Sequence, residues 1–408
     1  MKILEREQYL EILKRNRDRQ IIKVITGVRR CGKSTLLETY RDYLFQAGVS
    51  DQQIVFINFE DIEFEHIREY HELYSHVLAR LDKKQMNYIF LDEVQHVQGF
   101  EKAIDSLYIK KNVDLYITGS NAQLLSNELA TLLTGRYIEV KMLPLSFSEY
   151  CEMKGIGGNA QMVLLQEAYR QYLENSSFPY TLQIDETRKD VVDYLASLFN
   201  SILLKDIIAR KKITDALMLE SVTKYLFNNI GNTLSSAKIA NTMTSKGRKI
   251  DHRTIEKYLE GLRESMLFYE ARRYNVRGKE ALATLEKYYA VDIGFRFMLL
   301  GGQGLDVGHI LENIIYLELL RRGYEVFVGK IDRAEVDFIA IKDGQTQYIQ
   351  VAATIRDELV LARELKPLRL VSDSHPKLIL SLDDDSAGNY EGIATKNALR
   401  WLLDHKIE

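Results

Sequence analysis

Hydrophobic residues in the first 120 positions form short continuous runs separated by amphipathic stretches. The β-branched and aromatic runs have the length of strands buried on both faces, and they lie at 21–26, 54–59, 88–91 and 113–118. Apolar residues after position 35 recur at helical spacing, which predicts a helix behind the first run. Because strands alternating with helices form parallel sheets covered on both faces, we expect an α/β domain over residues 1–145.

The pattern changes after this domain. Residues 146–230 have leucine, isoleucine and tyrosine at helical spacing, which predicts a helical lid or connector. Residues 231–300 read as two short helices joined by a turn and followed by two strand-like runs, the order of a winged helix. From 306 to 408 a helix and several strands predict a further small α/β domain.

Composition supports a folded chain of several domains. The 408 residues are 46% hydrophobic and 28% charged with 4 prolines, which excludes disordered and collagen-like classes. The formal charge of −3 gives no overall attraction to nucleic acid, so any DNA-binding surface must be local. No membrane-length apolar run or export signal is apparent, and Cys31 and Cys151 form neither a disulfide framework nor a zinc motif. We therefore expect a cytoplasmic protein that does not bind membranes.

The segment from Gly27 to Thr35 reads G-x-x-x-x-G-K-S-T between the first predicted strand and its helix. The glycines, Gly27 and Gly32, let such a loop curl with its N–H groups pointing inward, at the positive end of the helix dipole. Lys33 is expected to reach the β- and γ-phosphates of a nucleotide, and the hydroxyl of Ser34 to bind Mg²⁺.

Two further positions complete the predicted loop. Thr35 is expected beside the α-phosphate. Arg30 belongs to the binding loop, with its side chain facing solvent or a neighbouring subunit.

The third apolar run ends in Asp92 and Glu93, which places two carboxylates at the ligand edge of a parallel sheet. Asp92 is expected to hold Mg²⁺, and Glu93 to polarise the attacking water as general base. Because transfer to a bound acceptor needs no water-activating glutamate, the pair favours hydrolysis over a small-molecule kinase. The fourth run ends near Ser120 and Asn121. One interpretation is that Ser120 or Asn121 contacts the γ-phosphate, and the alternative is that Asn121 caps the helix that follows.

Together with these motifs, the segments Leu133–Tyr137 and Leu143–Phe147 resemble one group, the predicted AAA+-type ATPases of bacteria and archaea with a carboxyl-terminal domain related to PD-(D/E)XK nucleases. The resemblance implies ATP as the nucleotide and a central place in the sheet for residues 113–118, between the two nucleotide-binding strands. It also makes Arg136 a candidate for contacting the γ-phosphate, the alternative being a structural ion pair.

The resemblance also bears on the carboxyl-terminal residues. Glu312 and Asp337 match the first two acids of the nuclease motif, but Gln350 and Ala352 stand where a further acid and a lysine belong. We therefore expect a nuclease-like fold without nuclease activity. The alternative for both acids is pairing with nearby arginines.

The functional prediction is an ATP-binding, Mg²⁺-dependent ATPase whose nucleotide state rearranges the winged-helix and nuclease-like regions. The alternative is a DNA-binding or protein-interaction switch that uses ATP with negligible turnover. Basic residues between 246 and 279 favour DNA, whereas Glu256, Glu260 and Glu264 on the second helix favour protein packing. A protein partner or homo-oligomer is the other partner that we expect.

Overall fold

The computed structural model describes residues 4–120, 133–184, 187–278, 280–302, 306–384 and 387–404, without the side chains of 281–284. The chain divides into two compact units. The first comprises Met1–Leu143 and Glu264–Met266, and the second comprises Pro144–Arg263 and Leu267–Glu408. No helix in the described ranges is both long enough and apolar enough to cross a membrane.

A parallel sheet of five strands forms the centre of the first unit as far as it is described. Its strands are β1 (Ile22–Thr26), β2 (Ile54–Asn58), β3 (Asn87–Asp92), β4 (Val113–Gly119) and β5 (Tyr137–Lys141), in the order β2-β3-β4-β1-β5. The helices are α1 (Glu7–Arg15), α2 (Lys33–Gln46), α3 (Tyr70–Leu78) and α4 (Phe100–Tyr108). The predicted α/β fold is confirmed, and β4 lies between β1 and β3 as the resemblance implies.

Both faces of this sheet are covered, so β1, β3 and β4 are buried at every position. On one face, aliphatic residues of the strands form a core with Leu73 and Val77 of α3 and with Ile104 and Leu107 of α4. The other face is aromatic, with Tyr40 of α2 in ring contact with Phe90 and Tyr116. Strands that are buried on both faces have apolar side chains at consecutive positions, which explains the continuous apolar runs in the sequence.

An ion pair is buried within the aromatic face. Lys23 of β1 pairs with Asp114 of β4, and both side chains are at most 1% exposed. The Tyr116 hydroxyl donates to Asp114 Oδ2 at 2.8 Å, and the backbone N–H of Asp18 donates to the same oxygen at 2.9 Å. Burial outweighs the mutual attraction, so it lowers the pKa of Lys23 and raises the pKa of Asp114.

The second unit begins with helices and continues into a mixed sheet. Its helices are α5 (Phe147–Met153), α6 (Met162–Asn175), α7 (Arg188–Ser201) with a π-helical continuation (Ile202–Ala209), α8 (Ala216–Asn228), α9 (Ser236–Ser245), α10 (His252–Glu264), α11 (Ile293–Leu300), α12 (Val307–Arg321), α13 (Glu358–Leu370) and α14 (Ala398–Leu403). Its strands are β6 (Thr233–Leu234), β7 (Phe268–Asn275), β8 (Glu280–Ala290), β9 (Glu325–Ile331), β10 (Ala334–Lys342), β11 (Gln345–Ala352), β12 (Lys377–Ser381), β13 (Gly388–Tyr390) and β14 (Ile393–Asn397).

These strands form one sheet in the order β13-β14-β12-β11-β10-β9-β7-β8-β6. The hairpin β7/β8 follows α9 and α10, and β7 pairs in parallel with β9 through Arg273 and Val328. The strands predicted as a wing therefore continue the sheet of the carboxyl-terminal residues. A single sheet spans the boundary expected between 300 and 306.

The buried ion pair predicts the effect of Lys23→Met in the first unit. Removing one partner leaves Asp114 buried without its counter-ion, so we expect the free energy of unfolding to fall by about 3 kcal/mol. Because the folded-state pKa of Asp114 then rises further, the loss should shrink as the pH falls toward the ordinary carboxyl pKa. Denaturant unfolding at several pH values measures this.

The exposed Lys84→Met is the matched control and should change stability by no more than about 0.5 kcal/mol. The double variant Lys23→Met/Asp114→Leu should recover most of the loss, since it removes both charges. A single variant as stable as the parent at neutral pH would contradict the assignment.

Candidate nucleotide-binding site

The loop between β1 and α2 has a backbone that few residues permit. Gly32, which precedes the first residue of α2, has φ 106°, and Arg30 has φ 67°. Gly27 has no space for a side chain, because an added Cβ would lie 2.3 Å from the carbonyl oxygen of Met142 and 2.7 Å from the Sγ of Cys31. The glycines are therefore required by the fold of the loop itself.

Lys33 is the first residue of α2 and is 4% exposed. Its Nζ donates to the carbonyl oxygen of Gly27 at 3.1 Å and lies 3.2 Å from Glu93 Oε1. Burial opposes the charged amine, but attraction to Glu93 outweighs it, and the pKa of Lys33 is raised. Lys33 is thus a buried cation at the mouth of the loop.

Asp92, the last residue of β3, is fully buried. The hydroxyl of Thr118 donates to Asp92 Oδ1 at 2.5 Å and accepts the backbone N–H of Glu93 at 2.9 Å. Asp92 Oδ2 has no hydrogen-bond partner among the described residues. Burial raises the pKa of Asp92, whereas the nearby hydroxyls of Ser34 and Thr118 act to lower it. Ser34 therefore lies next to Asp92.

Glu93 has left-handed backbone geometry, with φ 55°, and its carboxylate is almost completely buried. It is held by Lys33 and by the side-chain amide of Gln95, whose nitrogen lies 3.5 Å from the Ser120 hydroxyl. Burial favours the neutral acid, but the charge of Lys33 outweighs it and lowers the pKa of Glu93. Glu93 is therefore ionised, as a general base must be.

The donor set suits a triphosphate with Mg²⁺. The N-cap residue of α2 is Gly32, which has no side chain to cap the helix, so the first N–H groups and the helix dipole face the loop. Ser34 and the unpartnered oxygen of Asp92 are oxygen donors of the kind that Mg²⁺ prefers. Across the described ranges, no group of three or more His, Cys, Asp or Glu residues could hold a metal. Phosphate oxygens and water would have to complete the magnesium shell.

The structure brings together Gly27, Gly32, Lys33, Ser34, Asp92 and Glu93 at the carboxyl edge of the sheet. Thr35 and Arg30 are exposed on the same segment. Asn121 lies outside the described residues. Thr118 and Gln95 had no predicted role, and the signal that could have found them is their place two residues from Ser120 and Glu93.

Arg136 is not part of this constellation. It precedes β5, and its carbonyl oxygen accepts from the N–H of Ile22 at the start of β1, whereas the loop follows the other end of that strand. Its side chain pairs with Asp105 and lies over the ring of Tyr108. The expected γ-phosphate contact is therefore wrong within one chain, because the parallel strand separates the two ends. The structural ion pair is what the structure contains.

The fold and this site define a P-loop domain of the AAA type. Residues 19–151 match the family described as AAA domain, and residues 166–306 match a domain of unknown function (DUF8612). The chain is also similar in fold to the Walker-type ATPase PABY2304 of Pyrococcus abyssi, with a TM-score of 0.52 and 15% identity, over 73% of this chain and 96% of that one.

Two relatives are similar in sequence to most of the chain. An uncharacterized protein of Haemophilus influenzae is 39% identical over 402 residues, 98% of this chain and 99% of the relative. The uncharacterized protein MJ1544 of Methanocaldococcus jannaschii is 30% identical over 379 residues, 88% of this chain and 82% of the relative. The chain belongs to the family of these two proteins, whose amino-terminal part here is an AAA-type P-loop domain.

The crowding at Gly27 predicts that Gly27→Ala destabilises the nucleotide-free protein. The new methyl group must displace backbone or the Cys31 side chain, at a cost of about 1–3 kcal/mol. Gly158→Ala is the control, because an added Cβ there meets no atom within 4 Å. Thermal unfolding measures both, and equal melting temperatures for the two variants would show that the loop is less crowded than described.

Proposed function

We propose that this protein is a Mg²⁺-dependent ATPase. The observation that carries the proposal is the placement of a buried lysine, a glutamate paired with it and an aspartate oxygen without a partner among the described residues, all at a helix amino terminus whose N-cap is glycine. This set supplies a phosphate cradle, a metal ligand and a base within one small volume. The choice of ATP over other nucleoside triphosphates comes from the resemblance, since no base-reading contact identifies the purine.

Binding is proposed to exchange the partner of Lys33. Without nucleotide, Nζ is neutralised by Glu93 at 3.2 Å. The β- and γ-phosphates carry more negative charge and arrive at the N–H groups of α2, so they compete for Lys33. The exchange leaves the Glu93 carboxylate without its cation while it keeps the hydrogen bond from Gln95.

Hydrolysis is then assigned to the released carboxylate. Glu93 accepts a proton from a water molecule while the oxygen of that water attacks the γ-phosphorus. The bond between the γ-phosphorus and the bridging oxygen breaks, and ADP leaves. Lys33 and the loop N–H groups stabilise the negative charge on the phosphate oxygens. Mg²⁺, held by Ser34 and Asp92, would supply further charge neutralisation. The nucleotide state is proposed to change the arrangement of the second unit, which carries the helix pair α9/α10.

A second candidate is a DNA-binding switch with negligible turnover. The turn between α9 and α10 exposes Lys246, Arg248 and Lys249, and the first turn of α10 exposes Arg253; together they form a local basic surface on a chain of net charge −3. Such a surface favours phosphate backbones, and the order of α9, α10 and the hairpin β7/β8 is that of a winged helix. A protein partner or further copies of the chain are the remaining proposals for what the nucleotide state controls.

The ATPase proposal predicts different losses for two substitutions. Glu93→Gln should retain ATP binding but lower kcat by at least about 100-fold, because the water loses its base. Lys33→Ala should lose ATP affinity, because the phosphates lose their cation. Phosphate release and ATP binding are measured for both, with and without duplex DNA.

The exposed Glu38→Gln on α2 is the matched control and should have the parent rate. Full activity in Glu93→Gln would overturn the base assignment. If the parent and Glu93→Gln both bind ATP and release no phosphate, the ATPase proposal fails and the switch remains.

The DNA proposal predicts that Lys249→Glu/Arg253→Glu raises the Kd for duplex DNA by at least about 10-fold at low salt, since two phosphate contacts become repulsive. Fluorescence anisotropy at several salt concentrations measures it. Lys189→Glu/Lys205→Glu, two exposed lysines of the same unit, makes the same charge change elsewhere. DNA affinity that neither pair alters, or that does not depend on salt, would argue against this surface.

A further inference from the structure

The second unit contains a cleft of about 970 Å³ between α12, α13 and the strands β10 and β11. Six acids line it: Asp306 contacts His309 and Asp332 pairs with Arg277, and the other four are Glu312, Glu335, Asp337 and Glu364. Two of them, Glu312 and Asp337, are the residues that match the nuclease motif. In that motif the acids bind a divalent metal ion, so this cleft is where a metal would bind if its residues were suitable ligands.

A lysine already neutralises these acids. Lys287 of β8 is 4% exposed, and its Nζ lies 2.8 Å from Glu312 Oε1, 2.8 Å from Glu335 Oε1 and 4.0 Å from Asp337 Oδ1. Burial opposes its charge, but attraction to Glu312 and the other two acids outweighs it and raises the pKa of Lys287. A cation therefore stands among the carboxylates.

The remaining bonds leave little for a metal. The Tyr289 hydroxyl donates to the same Glu312 oxygen at 2.5 Å. On the other side, an added Cβ on Gly231 would lie 3.3 Å from Glu312 Oε2, so backbone packs close to that oxygen. Asp337 Oδ2 accepts the N–H of Val351 at 2.8 Å. Glu312 Oε1 and Asp337 Oδ2 therefore already have hydrogen-bond donors within the protein.

The fourth acid is also occupied. Glu364 Oε2 accepts the side-chain amide of Gln350 at 2.9 Å, and its Oε1 accepts from the Arg363 guanidinium at 2.7 Å and 2.9 Å. The position where the nuclease motif has an acid is thus an amide that binds another acid of the cleft. The donor set does not fit a divalent metal.

We propose that Lys287 is the permanent counter-ion of this carboxylate cluster, standing where a nuclease-like domain would bind its metal, and that the cleft binds no divalent cation. The ammonium comes from β8, a strand outside the nuclease-like residues, and it ties β8 to α12 and β10. This inference goes beyond the ATPase proposal and does not depend on it, because none of its residues belongs to the first unit.

Thermal unfolding of the full-length protein without nucleotide tests the stabilising role. Lys287→Met should lower the melting temperature by at least about 5 °C, because Glu312 and Glu335 lose their shared cation. Lys287→Met/Glu312→Gln should recover part of this loss. Lys224→Met, which removes a half-exposed lysine paired with Glu220, is the control and should shift it by less than about 2 °C. A Lys287→Met protein that melts with the parent would overturn the proposal.

Mn²⁺ titration tests the exclusion of metal. Asp92→Asn in every protein removes the contribution of the nucleotide site, and binding is followed by the electron paramagnetic resonance of free Mn²⁺. We expect no Mn²⁺ bound in this background, and equal melting temperatures in Mn²⁺ and in EDTA. Mn²⁺ binding that Glu312→Gln abolishes would show that a metal shares the cleft and would overturn the proposal. This arm decides the question even if Lys287→Met does not fold.

Discussion

A buried ammonium group needs a carboxylate beside it, and this constraint organises both units of the protein. Three lysines are buried among the described residues, Lys23, Lys33 and Lys287, and each contacts an acid. An unpaired charge in the interior would cost several kcal/mol, so each lysine fixes which strands and helices must meet. The pairs join β1 to β4, α2 to the residue that follows β3, and β8 to α12.

The surroundings distinguish the permanent pairs from the one that we propose to be exchangeable. In two of them a tyrosine hydroxyl also donates to the carboxylate, Tyr116 to Asp114 and Tyr289 to Glu312. These pairs are enclosed by strands and aromatic rings. Lys33 instead lies at the amino end of a helix whose N-cap residue, Gly32, has no side chain. A polyanion that arrives there finds donors already in place, so the lysine can change partner at low cost.

Most of the first unit was predictable because its central strands are buried on both faces. Such strands are continuous apolar runs, and the phosphate loop has fixed spacing, so four of the five strands, the loop and the acids after the third run followed from sequence. The central place of β4 was implied by the family resemblance, and β5 was not predicted. The position of Arg136 was not predicted, because a short motif does not show at which end of a strand its residues lie. Arg136 precedes β5, whereas the nucleotide loop lies at the other end of the sheet. The ion pair between Lys33 and Glu93 was not predicted from the sequence either. Lys33 was expected to contact the phosphates of the nucleotide, and Glu93 was expected to contact the attacking water.

The carboxyl-terminal acids were placed correctly on α12 and β10, but their cation was not predictable. Lys287 is 25 residues from Glu312 in sequence, on a strand interpreted as part of a wing. Only the parallel pairing of β7 with β9 brings the hairpin into the same sheet. The nuclease motif has a lysine where this chain has Ala352, and the structure places a lysine of another strand, Lys287, beside the acids.

The two kinds of pair limit what nucleotide binding can change. The proposed exchange at Lys33 would release the carboxylate of Glu93, which has left-handed backbone geometry and a hydrogen bond from the amide of Gln95, so the first response is expected to be local to β3 and the segment after it. In the second unit, Lys287 holds β8 against α12 and β10, and separating them would leave at least two carboxylates without a counter-ion. Any nucleotide-driven rearrangement is therefore expected to move the hairpin β7/β8 together with the carboxyl-terminal strands.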